Sequence, residues 1–180
     1  PVGIGIGQLR SDLLQELKQY KPAIVRGNAS EIIALASLWG IEANAYESSR
    51  PRGVDTTDTV EAARDAAAAL ARYTGGAVAV SGKKDLVTDG EKVVYSEGGS
   101  ELMEKVTGFG CSQGGVLAVY ATATNPFTAA LAAVAHYNVA GSRAAKVADA
   151  PASFKTAFID ELYRATARDI ADNPFSVEEA

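Results

Sequence analysis

Cysteine is almost missing from this sequence. Cys111 stands alone, so no internal disulfide can form, and without a Cys/His cluster there is no zinc site either. A reducing compartment follows, and the cytoplasm is the expected location. Basic residues are not in excess. A formal net charge of -5 and a sequence pI of about 4.9 leave no footprint for a nucleic-acid backbone or an anionic membrane surface, and neither is expected as a partner. No charged n-region followed by an apolar stretch opens the chain, so no secretory signal is expected. The only methionine is Met103, residue 1 is proline, and Pro1-Val2-Gly3-Ile4-Gly5-Ile6-Gly7 reads as a loop entered from something upstream. We therefore expect a fragment or a cleaved chain.

Charge is also missing along residues 106–142, which hold no Asp, Glu, Lys or Arg. A membrane span is nonetheless excluded. Asn125-Pro126 interrupts the stretch, and each half is rich in Ala, Gly and Thr rather than in the Leu, Ile and Phe that bilayer insertion favours. Two buried helices are expected instead.

What is present suits one folded domain over residues 1–180, since 180 residues at 47% hydrophobic content suffice for a sizeable core. Residues 11–20 read as a helix with Leu13, Leu14 and Leu17 on one face. A short strand at 23–25 leads into a helix at 29–39, where Ile32, Ile33, Leu35, Ala36 and Trp39 recur at helical spacing. Residues 40–59 read as a surface connection. An Ala-rich helix at 60–73 is closed by Gly75-Gly76 and followed by the apolar run Ala77-Val78-Ala79-Val80, a buried parallel strand. Residues 85–88 and 92–95, joined across Asp89-Gly90, give a hairpin signal. Helices are expected at 111–123, at 126–140 with Asn125 as cap and Pro126 in first position, and at 153–172, with a frayed tail after Pro174. The alternation indicates an α/β layered domain with a mostly parallel central sheet.

The chemistry concentrates in two places. Val106-Thr107-Gly108-Phe109-Gly110-Cys111-Ser112-Gln113-Gly114-Gly115 is a glycine-dense turn directly before a helix, where converging amides and the helix dipole suit an anion such as phosphate. A tight turn that lets the helix pack closely is the plainer alternative. The run fits neither G-x-x-x-x-G-K-[ST] nor G-x-G-x-x-G. Cys111 falls in the first turn, where a thiol gains reactivity, although a lone cysteine also serves as a small buried hydrophobe. The second place is Arg26-Gly27-Asn28-Ala29-Ser30-Glu31 at a strand end. Asn28 and Glu31 have the spacing of a capping box, while a carboxylate at that edge of a sheet could equally hold Mg²⁺. Arg26 could contact phosphates, and Ser81 in Val80-Ser81-Gly82 could meet a nucleotide or simply end its strand. His136, the sole histidine, sits in an Ala-rich helix and reads as a packing or subunit-contact residue rather than a base.

In order along the chain, Pro1-Val2-Gly3, Arg26-Gly27-Asn28-Ala29-Ser30-Glu31-Ile32, Gly53-Val54-Asp55, Val78-Ala79-Val80-Ser81-Gly82, Thr88-Asp89-Gly90, Val106-Thr107-Gly108-Phe109-Gly110-Cys111 and Ala152-Ser153-Phe154 resemble the hydroxyethylthiazole kinase family, over nearly the whole chain. The resemblance implies a ribokinase-like α/β/α fold and ATP-dependent phosphorylation of 4-methyl-5-(2-hydroxyethyl)thiazole with Mg²⁺ in thiamine salvage. It further implies a homotrimer and an N-terminal region ahead of Pro1. By the family pattern, Arg26 and Ser81 would meet ATP, while Asn28 and Glu31 would organise Mg²⁺. Gly108 would lie against the thiazole, the amides of Gly108, Phe109, Gly110 and Cys111 would form the anion hole, and Cys111 would face the substrate hydroxyl. Phe109 departs from the small residue or threonine usual there, and Lys83 from an acidic residue. The alternatives are another ribokinase-like small-molecule kinase and a non-catalytic subunit of that fold.

Overall fold

The structure, a computed structural model, describes residues 7–41 and 60–179. The runs at Pro1-Val2-Gly3 and Gly53-Val54-Asp55, and most of the surface connection at 40–59, lie outside the described residues.

Strand β1 (Ile24–Asn28) runs straight into helix α2 (Ala29–Leu38). A second helix, α3 (Arg64–Thr74), ends at Gly75, whose φ of +70° terminates it in the left-handed conformation that glycine adopts without strain. Strand β2 (Ala77–Ser81) follows and pairs parallel to β1, with Arg26 opposite Ala79 and Asn28 opposite Ser81. Ahead of β1 lies α1 (Gln8–Leu17), which buries none of its residues.

From here the expected sheet fails. Strands β3 (Asp85–Thr88) and β4 (Lys92–Ser96) add antiparallel to β2 and to each other, and β5 (Phe175–Glu179) closes the order β1-β2-β3-β4-β5, antiparallel to β4. One pairing of four is parallel, so the sheet is mixed and mostly antiparallel, not mostly parallel. For β3 and β4 the cause is connection length: parallel neighbours need a crossover of a dozen or more residues, and the turns at 82–84 and 89–91 permit only hairpins. β5 returns to the sheet after the long connection 97–174, which would allow either direction, and pairs antiparallel with β4. The tail expected to fray is β5 itself.

Alternation along β2 divides the core. Val78 and Val80 face α2 and α3 together with Val25, Ile32, Leu35, Leu70, Leu86 and Val93. Ala77 and Ala79 face the other way, with Val87, against Leu117 of α4 (Phe109–Ala121) and against Ala130, Ala133 and Val134 of α5 (Pro126–Ala144). Small side chains on both surfaces let α5 lie close to the sheet. The result is an α/β/α sandwich. Beyond it, α6 (Pro151–Arg164) seals a third cluster in which Phe109, Tyr137, Phe154 and Phe158 pack together.

Two helical expectations need revision. α5 is buried along most of its length, but α4 buries only Phe109, Gln113 and Leu117, and Val119 remains 69% exposed. The helix expected at 153–172 breaks at Ala165, which is extended, and restarts as α7 (Ala167–Ala171) behind a Thr166/Asp169 capping box. Among the described residues no helix is long and apolar enough to cross a membrane.

Candidate functional site

The C-terminal ends of the two parallel strands and the mouth of α4 converge. At the β1 end, Asn28 caps α2: its Oδ1 accepts from the Glu31 amide at 2.8 Å, and Glu31 Oε2 accepts from the Asn28 amide at 2.9 Å. The capping box is therefore formed. Gly27 makes room for it, because a Cβ there would lie 3.0 Å from Glu31 Cβ and 3.1 Å from its Oε2. The strand end can thus carry a folded-back glutamate.

Arg26, one residue earlier, crosses toward α4. Its Nε donates to Gln113 Oε1 at 2.6 Å and its Nη2 donates to Ser81 Oγ at 3.3 Å, while Ser81 Oγ donates to the Gly27 carbonyl at 3.4 Å. Both partners of the guanidinium are neutral. Among the described residues Arg26 forms no ion pair, and Nη1 has no protein acceptor. Burial lowers its pKa from the ordinary arginine range, opposed chiefly by the nearby carboxylates of Asp85 and Glu31. A cation held out of water without a carboxylate partner attracts a mobile anion.

The α4 mouth faces this cation. Gly108 caps the helix at φ 93°, a left-handed conformation, and a Cβ there would meet nothing within 4 Å. Phe109 turns inward, with its ring centroid 4.5 Å from that of Phe158 and 5.8 Å from that of Phe154, so it anchors the mouth from below rather than filling it. The Ser112 amide donates to the Gly108 carbonyl at 2.8 Å, whereas the amides of Gly110 and Cys111 have no acceptor among the described residues. Gly110 lies against the arginine: its Cβ position would be 3.6 Å from Nη2 and 3.9 Å from Nη1. No acidic residue occupies the first turn, and the Cys111 side chain is exposed. Close helix packing does not explain the glycines, because added Cβ atoms at Gly108, Gly114 and Gly115 all meet open space. Two open amides, a helix N-terminus and a desolvated guanidinium make a surface for a phosphate.

The structure thus gathers Arg26, Ser81, Gly108, Gly110 and Cys111 around one mouth and places Asn28 and Glu31 at the adjoining strand end. Lys83 is exposed. His136 bridges Tyr120 Oη at 3.1 Å and the Leu162 carbonyl at 2.8 Å.

Sequence reasoning passed over two residues here. Gln113 is buried on the stripe it shares with Phe109 and Leu117, and a polar residue at a core position of a helix is the signal that could have found it. Asp85 is buried beneath the 82–85 turn, where its Oδ1 accepts from the Gly82 amide at 3.0 Å. Burial raises its pKa to about 6, against the lowering effects of the Gly82 amide, the Asn138 side chain and Arg26. Asn138 and Asn173 both donate to Ser96 Oγ, at 3.1 and 3.0 Å, so the acid stands at one end of a buried polar network.

The layered sheet, with its anion-directed helix mouth at the ends of the parallel strands, defines a ribokinase-like α/β/α protein. A solved hydroxyethylthiazole kinase from Pyrococcus horikoshii OT3 superposes with a TM-score of 0.80 at 28% identity, covering 100% of this chain and 63% of that one. Residues 1–168 match the hydroxyethylthiazole kinase family, and the chain belongs to it. It is 45% identical over 195 aligned residues to the hydroxyethylthiazole kinase of Bifidobacterium longum strain DJO10A, covering 99% of this chain and 62% of that protein. Against the enzyme of Brachyspira hyodysenteriae it is 42% identical over 173 residues, covering 96% of this chain and 62% of the relative. The chain therefore spans about three-fifths of the length of these relatives.

Proposed function

We propose that the protein containing this chain transfers the terminal phosphoryl group of ATP to the hydroxyethyl group of 4-methyl-5-(2-hydroxyethyl)thiazole, the reaction that the names of its relatives describe. One observation carries the reading: Arg26, which among the described residues pairs only with neutral Gln113 and Ser81, faces the amides of Gly110 and Cys111, which have no acceptor among those residues. Phosphoryl transfer asks mainly for alignment and for charge neutralisation at the migrating group. The amides and the guanidinium supply both, Ser81 stands beside the arginine to meet the nucleotide, and Gly108 leaves room for the thiazole. Cys111, whose side chain is exposed at the same mouth, would face the substrate hydroxyl and orient it.

Mg²⁺ fits this site as an ion carried by phosphates and water, with the Glu31 carboxylate at its rim. Magnesium usually takes only one or two protein carboxylates, and among the described residues no group of three acidic, His or Cys side chains forms a cage. Asn28 Oδ1 is committed to the Glu31 amide, so its contribution is to hold the strand end. When bound, the ion neutralises charge on the phosphates.

The homotrimer belongs to the same reading. Leu9, Leu13 and Leu17 on α1 and Val119 on α4 are 45–72% exposed, apolar surface suited to contact between copies. Sedimentation of the intact protein tests it, a monomer counting against it. For the reaction, ADP release from the intact protein is followed with the thiazole alcohol, pyridoxal and hydroxymethylpyrimidine as acceptors. Turnover with the thiazole alcohol, lost in Arg26→Ala, is expected. Turnover only with another alcohol would move the assignment to a different kinase of this fold, and absence of nucleotide and thiazole binding would leave a scaffold.

A further inference from the structure

Arg26 has two carboxylates within electrostatic reach, Asp85 and Glu31, yet forms an ion pair with neither. Its short tether is Gln113 Oε1, 2.6 Å from Nε; the contact to Ser81, at 3.3 Å, is long. Gln113 is 6% exposed, flanked one helical turn away on either side by the buried Phe109 and Leu117, so the helix that ends in the open amides also fixes this carboxamide. A neutral acceptor at Nε orients the guanidinium plane without cancelling its charge. A carboxylate in the same place would neutralise it, and an apolar side chain would leave Nε unbonded and the guanidinium free to swing to Asp85 or Glu31.

We propose that Gln113 is a positioning residue for nucleotide binding: it holds Arg26 through Nε so that Nη1 and Nη2 stay beside Gly110, available to the phosphates, and out of an ion pair with Asp85 or Glu31. It touches neither reacting atom. The inference rests on the phosphate-site reading above and adds a residue to it.

The test is a double-mutant cycle in the intact protein, with Gln113→Met, which keeps length and volume but removes the acceptor, and Arg26→Ala. Affinity is read by calorimetric titration with the non-hydrolysable analogue adenylyl imidodiphosphate, and KM for ATP and for the thiazole alcohol by steady-state kinetics. Gln113→Met is expected to weaken the analogue and raise the KM for ATP about tenfold, with the KM for the alcohol unchanged and kcat within about threefold. Added to Arg26→Ala, it should weaken nucleotide binding no further. A loss of the same size in both backgrounds would mean Gln113 acts by packing, and the inference would fall. No loss from Gln113→Met where Arg26→Ala weakens binding would also overturn it while leaving the phosphate site intact. If Arg26→Ala itself left the analogue's affinity unchanged, the phosphate-site reading would fail, and this inference with it. Gln113→Leu carries the same expectations should the methionine variant not fold.

Discussion

Asp85→Asn isolates the energetic effect of the buried carboxylate beneath the 82–85 turn. The substitution preserves shape and an oxygen able to accept from the Gly82 amide, and removes only the charge and its proton. In the folded protein the carboxyl pKa is raised from 3.8 to about 6, chiefly by burial. A group whose folded pKa lies above its unfolded value stabilises the fold in its protonated form. That contribution is complete below about pH 4 and is lost as pH rises through 6. At about 1.4 kcal/mol per unit, the shift corresponds to roughly 3 kcal/mol, or some 6–12 °C in melting temperature for a protein of this size. The groups facing the carboxylate are Arg26, the Gly82 amide and the Asn138 side chain, whose attraction is already contained in that net shift. Melting temperatures of both proteins are measured between pH 4 and 8, and the difference curve cancels every other titrating group. The variant should gain on the parent as pH rises from about 4 to about 6, by about 1.4 kcal/mol per pH unit, and the difference should level off above that. A flat difference, or a parent that gains on the variant above pH 6, would show that the carboxylate is not desolvated in this way.

Other sites test separate parts of the structure. Phe154→Ala removes a fully buried ring from the aromatic cluster that anchors the α4 mouth, and denaturant titration should show a loss of about 3–5 kcal/mol; a loss under about 1 kcal/mol would deny the packing. Gly76→Ala places a Cβ 2.1 Å from the Ala23 carbonyl oxygen, where β1 and β2 begin their parallel pairing. The backbone must shift, so about 1–3 kcal/mol or more should be lost, and an unchanged melting temperature would refute the close approach. Cys111→Ser should retain turnover within about a hundredfold, because a loose transition state needs little deprotonation of the alcohol. Complete loss of activity in a protein that still binds nucleotide would make the thiol essential.

What the residues disclose in advance is what is decided locally. Asn28 and Glu31 stand three apart and form the capping box that their spacing allows. Asp89-Gly90 makes its hairpin, and Asn125-Pro126 starts α5 with the cap and first-turn proline expected of it. Each outcome needs only a few neighbouring residues. Even the break between α6 and α7 was written locally, since Thr166 and Asp169 have capping-box spacing; the hydrophobic period running through them concealed it. Strand β5 was hidden for the opposite reason. All five of its residues are exposed, so they carry no buried face to alternate with, and only pairing with β4 makes them a strand. The direction of the sheet was legible in the two short turns, 82–84 and 89–91, but the helix-strand rhythm of the first 80 residues outweighed them.

The site divides along the same line. Its open amides follow from glycines and a helix start within a few residues, and they are visible in the sequence. Its charge does not follow locally, because the orientation of Arg26 depends on Gln113, 87 positions away, and on Ser81, 55 positions away. Whether an arginine at a strand end is solvated, ion-paired or held ready for an anion is decided by which neutral acceptors the fold brings to it. A motif can therefore locate a turn with open amides, while the arginine beside it is held by a buried glutamine that no motif contains.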